Sequence, residues 1–275
     1  MMRHRISTFA AYAVLTAWSL VVLFPVWTML VNSLKPRKEI FRNPFNFPPE
    51  ITWEGYQSVW ANGHFELYFR NSLFVTVLSL LTILLLGSMA AYALANWESP
   101  AAGFVYIFFL AGLMIPIRLG TINILQIVIA LGLSDTIYSL FPVYIAMGLP
   151  ITVFILTTFI RSIPREIGDA ARVDGANEWR IYSRIVLPLI RPALATSAIF
   201  NLIPIWNDLW FPLIFIRADQ HRTVMLGASL LFGQYQTDWT SILAVLTLSS
   251  LPILILYLLM SKQFIQGLTG GAVKG

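Results

Sequence analysis

Arg118 and Asp208 have the least expected surroundings in this sequence. Each is the sole charged residue of a long apolar stretch, 103–134 and 192–216 respectively. A charge at the centre of a membrane helix costs about 2.5–3.5 kcal/mol even on lenient scales, so such groups face a wet cavity or mark a functional path. Asn123, Gln126, Trp206, Asn207 and Trp210 stand near them in sequence. A mostly apolar wall with a few placed polar groups is the general form of a small-ligand site. Trp206 and Trp210, four residues apart, are expected on one helix face. Two plainer roles remain open. Tryptophans near span ends anchor the membrane interface, and Arg118 and Asp208 can pair with each other or with a partner chain.

Reaction chemistry finds little to use. Without cysteine there are no disulfides, thiolate metal sites or cysteine nucleophiles. His4, His64 and His221 fall in loops or termini, so no metal site is expected. No G-x-x-x-x-G-K-[ST] run occurs, so the chain has no P-loop for ATP. The glycine-rich end 270–275 holds Lys274 but has the wrong spacing. No nucleophile–base pair is visible, and no enzyme or bound cofactor is expected of this chain.

The elements that carry these residues are membrane spans. The chain is 57% hydrophobic and 11% charged, with a mean hydropathy of +0.74. A soluble domain carries about 25% charged residues. The net charge of +5 comes from basic residues scattered between apolar runs, which fits loops beside spans rather than nucleic acid binding. A span needs about 20 apolar residues, which places six near 9–31, 70–95, 103–129, 140–160, 188–213 and 240–261, in a single domain 1–275. Residues 6–34 are uncharged and too long for a signal peptide core, so they read as an uncleaved first span. Arg118 follows Ile115-Pro116-Ile117. Either the helix ends near Pro116 and a re-entrant or interfacial helix follows, or Arg118 faces a wet cavity.

Residues 162–192 read SIPREIGDAARVDGANEWRIYSRIVLPLIRP. Pro164 suits the first turn of a helix, with Glu166 and Asp169 near its positive end. Ala170, Ala171 and Val173 offer a small smooth face, Gly175 permits a sharp turn, and Asn177 can cap a second helix from Glu178. With the N-terminus inside, ten of the eighteen Lys and Arg fall on the cytoplasmic side and eight outside. Six arginines from Arg161 to Arg191 make this loop cytoplasmic. A short polar helix of this kind needs a partner, or lies on the membrane as an amphipathic linker.

The loop resembles the EAA loop of binding-protein-dependent ABC importers, in Asp169-Ala170-Ala171, Asp174-Gly175-Ala176, Ile185 and Leu187-Pro188. Asp169 stands where the family usually has Glu. Asn32-Ser33-Leu34-Lys35, Asn71-Ser72-Leu73 and Trp206-Asn207-Asp208 are similar to family signatures. The tail from Gln263 to Gly275 is similar to that of maltose-type sugar permeases, specifically the shorter of their two permease subunits. The 96–99 connection lacks the basic residues that family members often place there.

The resemblance implies an all-α integral membrane protein: a six-helix transmembrane bundle with a cytoplasmic coupling helix, as in type I ABC importers. It implies that 162–188 docks on an ATPase through Glu166, Asp169, Ala170, Ala171, Asp174, Gly175 and Ala176. It further implies a second permease subunit, two ATPase subunits that bind ATP and Mg, and a solute-binding protein. The outer loop with Gly233, Gln234, Tyr235 and Gln236 would meet that last partner, or would be a plain connection. The expected location is a bacterial-type inner membrane with both termini cytoplasmic. The expected cargo is a sugar or sugar derivative, held by aromatic faces and polar groups at Arg118, Asn123, Gln126, Trp206, Asn207, Asp208 and Trp210. The alternative, an ion-coupled secondary transporter, normally has more spans or an inverted repeat, often with midplane acids; no clear repeat is found, and the acids lie mostly in loops.

Overall fold

The computed structural model describes residues 2–61, 63–97, 99–232 and 237–272, without the side chains of 2–7, 260 and 262–272. Among the described residues the regular secondary structure is helical apart from one β-bridge, Phe232 to Thr237. Four helices are long and apolar enough to cross a membrane: Thr8–Asn32, Phe65–Asn96, Ile137–Arg161 and Trp239–Leu259. Two bent pairs bring the number to six when each counts as one span: Pro100–Met114 with Ile117–Ala130, and Glu178–Leu189 with Arg191–Trp206. In chain order the first helices are α1 (Met2–Asn32), α2 (Arg37–Arg42), α3 (Glu54–Ala61) and α4 (Phe65–Asn96). They are followed by α5 (Pro100–Met114), α6 (Thr121–Ala130), α7 (Leu140–Arg161) and α8 (Arg165–Val173).

The chain packs as two compact units, one of residues 1–66 and 227–251, the other of 67–226 and 252–275. In the first, α1 turns its apolar side chains outward; Phe9 is 77% and Trp18 68% exposed, which only a non-aqueous surrounding tolerates. The helix is tied off by Lys35, which is fully buried. Its Nζ donates to Asn32 Oδ1 at 2.9 Å and to the Asn43 carbonyl at 2.8 Å. A buried charge persists only when hydrogen-bonded in this way. Ser33 bonds the Tyr56 hydroxyl at 2.7 Å. The run from Asn32 to Lys35 is thus a knot closing the first span.

In the second unit, α4, α7 and the helix Arg191–Trp206 meet through small and polar side chains. Asn201 Nδ2 donates to Thr152 Oγ1 and to the Ser197 carbonyl, both at 2.8 Å. Gly148 admits this approach: a Cβ there would lie 2.4 Å from Asn201 Oδ1 and 2.5 Å from Ile83 Cδ1. Small residues and interhelical hydrogen bonds are how membrane helices pack where lipid removes the hydrophobic drive. Two apolar clusters flank this seam. One gathers Val75, Ile83, Leu140, Tyr144, Phe211 and Phe215; the other gathers Ala91, Leu156, Ile160, Ile181 and Ile190.

Two expected spans are broken. The third ends at Met114, and Ile115 is extended (φ −88°, ψ 117°), as the residue before a proline prefers. After Pro116 the chain turns through 84°, so the helix does end where the first reading of Arg118 puts its end. The fifth is not one helix over 188–213. Glu178–Leu189 and Arg191–Trp206 meet at 75°, where Pro188 and Pro192 withhold backbone donors on either side of Ile190. Helix then stops at Trp206 and resumes only over Trp210–Phe215.

Candidate functional site

The 162–192 loop forms the two helices expected of it. Pro164 caps α8 from just outside rather than sitting in its first turn (φ −56°, ψ 131°). Glu166 lies in that first turn. The helix ends in a Schellman motif: Gly175 has φ +80°, its N–H bonds the Arg172 carbonyl at 3.0 Å, and Ala176 N–H bonds that of Ala171 at 2.9 Å. A left-handed residue at this position favours glycine. Asn177 Oδ1 then accepts from Arg180 N at 2.8 Å and starts the next helix.

The small face divides. Ala171 and Ala176 pack against the Ile160–Ile181 cluster, whereas Glu166, Ala170, Val173 and Asp174 are exposed, Val173 by 88%. Asp169 is also exposed, but its carboxylate is engaged. Arg172 Nη1 reaches Asp169 Oδ1 at 2.7 Å, and Arg172 Nε reaches Glu178 Oε1 at 2.8 Å. Glu178 Oε2 accepts from the Tyr92 hydroxyl on α4 at 2.6 Å. Four residues on, Tyr182 OH meets Ser88 at 2.8 Å. Residues Tyr182–Val186 make a π-helical turn, a distortion frequent at functional positions. Charge and ring contacts thereby join α8, the helix after it and α4.

The polar residues of the broken spans form a second group. The Arg118 guanidinium lies 5.7 Å from the centroid of the Trp210 ring, and Trp210 Nε1 donates to Thr121 Oγ1 at 3.0 Å. Arg118 and Trp210 are exposed on the chain itself, as are Asn123 and Gln126 of α6. Asp208 is buried and differently employed. It accepts from the Tyr144 hydroxyl at 3.0 Å and from the amides of Trp210 and Phe211 at 3.2 Å each. Standing one residue before the N-cap, Leu209, it thus satisfies the first two amides of the Trp210–Phe215 helix. Trp206 is buried against Phe69, and Asn207 Nδ2 donates back to the Ile203 carbonyl at 3.0 Å. The break between Trp206 and Trp210 removes the shared helix face expected of them. Thr121 and Tyr144, which this group needs, carry no sequence signal.

Near the start of α4, Asn71 Nδ2 donates to the carbonyls of Gln220 and Arg222, at 2.9 and 3.0 Å, and Ser72 Oγ accepts from Val224 N at 2.8 Å. The Asn71-Ser72 signature thus holds the 219–224 segment. Asp135, at φ +56°, accepts from Arg217 N at 2.6 Å and Ala218 N at 2.7 Å. Donation first by Ala218 and then by Arg217 holds its carboxyl below the usual aspartate range. Gly233, Gln234, Tyr235 and Gln236 lie outside the described residues.

Residues 83–270, which include this loop and the Arg118–Trp210 group, match the model of the binding-protein-dependent transport system inner membrane component family. The chain is 32% identical over 267 residues to the diacetylchitobiose uptake system permease protein NgcG of Streptomyces coelicolor, covering 96% of this chain and 88% of that one. It is 32% identical over 275 residues to the multiple sugar-binding transport system permease protein MsmG of Streptococcus mutans, with 98% and 99% covered. Its fold matches a chain in the crystal structure of a bacterial ABC transporter involved in the import of the acidic polysaccharide alginate, at TM-score 0.80 and 22% identity, covering 94% and 97%. This chain belongs to the inner membrane component family of binding-protein-dependent transport systems, and is a membrane-embedded permease.

Proposed function

We propose that this chain is one of two different permease subunits of an ATP-driven importer of a sugar or sugar derivative, set in a bacterial cytoplasmic membrane with both termini inside. Full-length similarity to permeases named for diacetylchitobiose and multiple-sugar uptake carries this reading. ATP and Mg are bound and hydrolysed on two separate ATPase subunits. A solute-binding protein delivers the cargo on the other face, with the 233–236 loop as its contact. The whole chain, 1–275, acts as one permease domain.

In this reading α8 is the coupling helix, and its exposed Glu166, Ala170, Val173 and Asp174 enter the ATPase. Asp169 and Gly175 fix the shape of the docking element. Arg118, Thr121, Asn123, Gln126 and Trp210 line the cargo path, with Trp206, Asn207 and Asp208 supporting it. Closure of the ATPases shifts the spans between outward- and inward-open states, and coupling requires different contacts in the two. The test is extraction of the tagged chain from its host in mild detergent, followed by uptake in proteoliposomes. Recovery of a second permease, an ATPase and a binding protein, with ATP-dependent sugar uptake, supports the proposal. Uptake driven by an ion gradient without ATP overturns it in favour of a secondary transporter.

A further inference from the structure

We propose that residues 43–53 form a hook, hung from the end of α1, that sinks its apolar side chains into the lipid leaflet beside that helix. The segment carries Phe45, Phe47, Ile51 and Trp53 among three prolines. Both of its ends are tied to the close of the first span. At one end the Asn43 carbonyl accepts from Lys35 Nζ at 2.8 Å, and the Pro44 carbonyl accepts from Asn32 Nδ2 at 2.9 Å. At the other, Thr52 N donates to the Leu34 carbonyl at 2.9 Å. Between these ties the chain folds back along α1. The Phe45 ring packs on Phe24 with centroids 5.5 Å apart, and the Phe47 ring meets Trp27 edge-on at 5.1 Å.

Phe24 and Trp27 set the depth. At about 1.5 Å per residue they lie roughly 12 and 7.5 Å before Asn32 along the helix. A hydrocarbon core of ~30 Å takes about 20 helical residues, and every window of that length within Thr8–Asn32 contains both. The rings of the hook therefore stand beside residues at hydrocarbon level. They are not covered by the chain itself: Phe45 is 66% and Phe47 73% exposed, and Ile51 and Trp53 are exposed as well. A contiguous exposed apolar patch marks an interaction site. Lipid fits this one because it continues the outward apolar surface of α1, and because interfacial segments bury their apolar groups about 5–10 Å deep. Irregular backbone is costly near hydrocarbon, and the segment lowers that cost. Pro44, Pro48 and Pro49 have no N–H to leave unpaired, and the two carbonyls and the Thr52 amide named above are already bonded. Just before the hook, Phe41 packs edge-on against Trp239 at 6.1 Å. Trp239 opens the last span, a place where tryptophan anchors the membrane interface.

The test uses single-cysteine variants, since the chain has no cysteine of its own. Each is labelled with a fluorophore in the purified transporter complex and reconstituted in liposomes. A phospholipid with a nitroxide near the top of its acyl chain is expected to quench the label of Phe47→Cys about threefold more than that of Lys38→Cys. Aqueous iodide should show the reverse order, because Lys38 is exposed on the charged α2. Iodide quenching of Phe47→Cys without lipid quenching puts the hook in water and overturns the proposal. Shielding from both quenchers means that a partner subunit covers the hook, and overturns the lipid equally. Should Phe47→Cys fail to assemble, photolabelling of the unaltered complex by a lipid with an acyl-chain diazirine decides. Labelling within residues 43–53 is expected, and an unlabelled segment overturns the proposal.

Discussion

The Tyr92 hydroxyl donates to Glu178 Oε2 across 2.6 Å while Arg172 holds Oε1 of the same carboxylate at 2.8 Å. One side chain therefore fastens the loop bearing α8 to the end of α4. Arg172→Lys cannot hold both Asp169 and Glu178 with the same fork. Tyr92→Phe and Arg172→Lys are expected to cost about 0.5–1.5 kcal/mol each as lost hydrogen bonds. They should lower the ratio of sugar taken up to ATP hydrolysed by the reconstituted complex. A double-mutant cycle on that ratio should show coupling between them, and strict additivity would remove the link.

Gly175 is the pivot of the same loop. At φ +80° an L side chain is strained, by about 1–2 kcal/mol, and proline cannot adopt that φ at all. Gly175→Pro is expected to insert normally and to lose uptake while ATP hydrolysis by the complex persists. Uptake equal to the unaltered transporter would count against the docking role. At the exposed Ala170, a tryptophan should act likewise. At Ala171, which packs inward, a bulky residue should lower thermal stability as well.

Asp208 and Trp210 separate support from ligand contact. Asp208→Ala strips acceptors from Tyr144 OH and two amides, and is expected to cost about 1–3 kcal/mol as buried groups lose partners. Its thermal midpoint in detergent should fall. Trp210→Ala and Arg118→Gln remove exposed groups, so the midpoint should hold while the sugar concentration for half-maximal uptake rises several-fold. A fall in midpoint for all three would assign the whole group to scaffolding.

Gly148→Leu should be the most damaging single change in the seam of α4, α7 and Arg191–Trp206. Even a Cβ there meets Ile83 at 2.5 Å, and overpacking a core costs about 1–3 kcal/mol or more. Gly148→Ala should be milder, since both contacted atoms end side chains. Thermal unfolding in detergent orders the two.

The Asp135 carboxylate clasps the amides of Arg217 and Ala218, and this clasp has a defined pH dependence. Its pKa is depressed in the folded chain. The stabilisation is therefore present above the ordinary aspartate pKa and is lost as pH falls through the lower folded value. Unfolding followed from neutral to acid pH should show this loss, and Asp135→Asn should flatten that part of the curve. An unchanged curve would show that the clasp contributes nothing.

The sequence carried the spans and the 162–192 loop because both are local: hydropathy fixes one, and Pro164, Gly175 and Asn177 punctuate the other. The break at Pro116 was readable for the same reason. The stop at Trp206 was also marked, since Asn207-Asp208 can end one helix and satisfy the first amides of the next, but inside an apolar run the pair resembles a polar site. Lys35 reads as an ordinary loop charge, because its carbonyl cage forms only when residues 43 and 44 fold back. The Asn201–Thr152 bond joins residues 49 apart, which no local pattern announces.

α4 has 32 residues and no internal proline. At 1.5 Å per residue it is about 48 Å long, well beyond the ~30 Å hydrocarbon core. Asn71 and Ser72 fasten the 219–224 segment to one end, and Ser88 and Tyr92 fasten the 178–182 turn to the other, roughly 30 Å away along the axis. The helix is therefore a push-rod with a fitting at each tip. A slide or roll imposed at either tip is delivered to the opposite one without any intervening joint, and a proline placed near Ile83 would turn the rod into two.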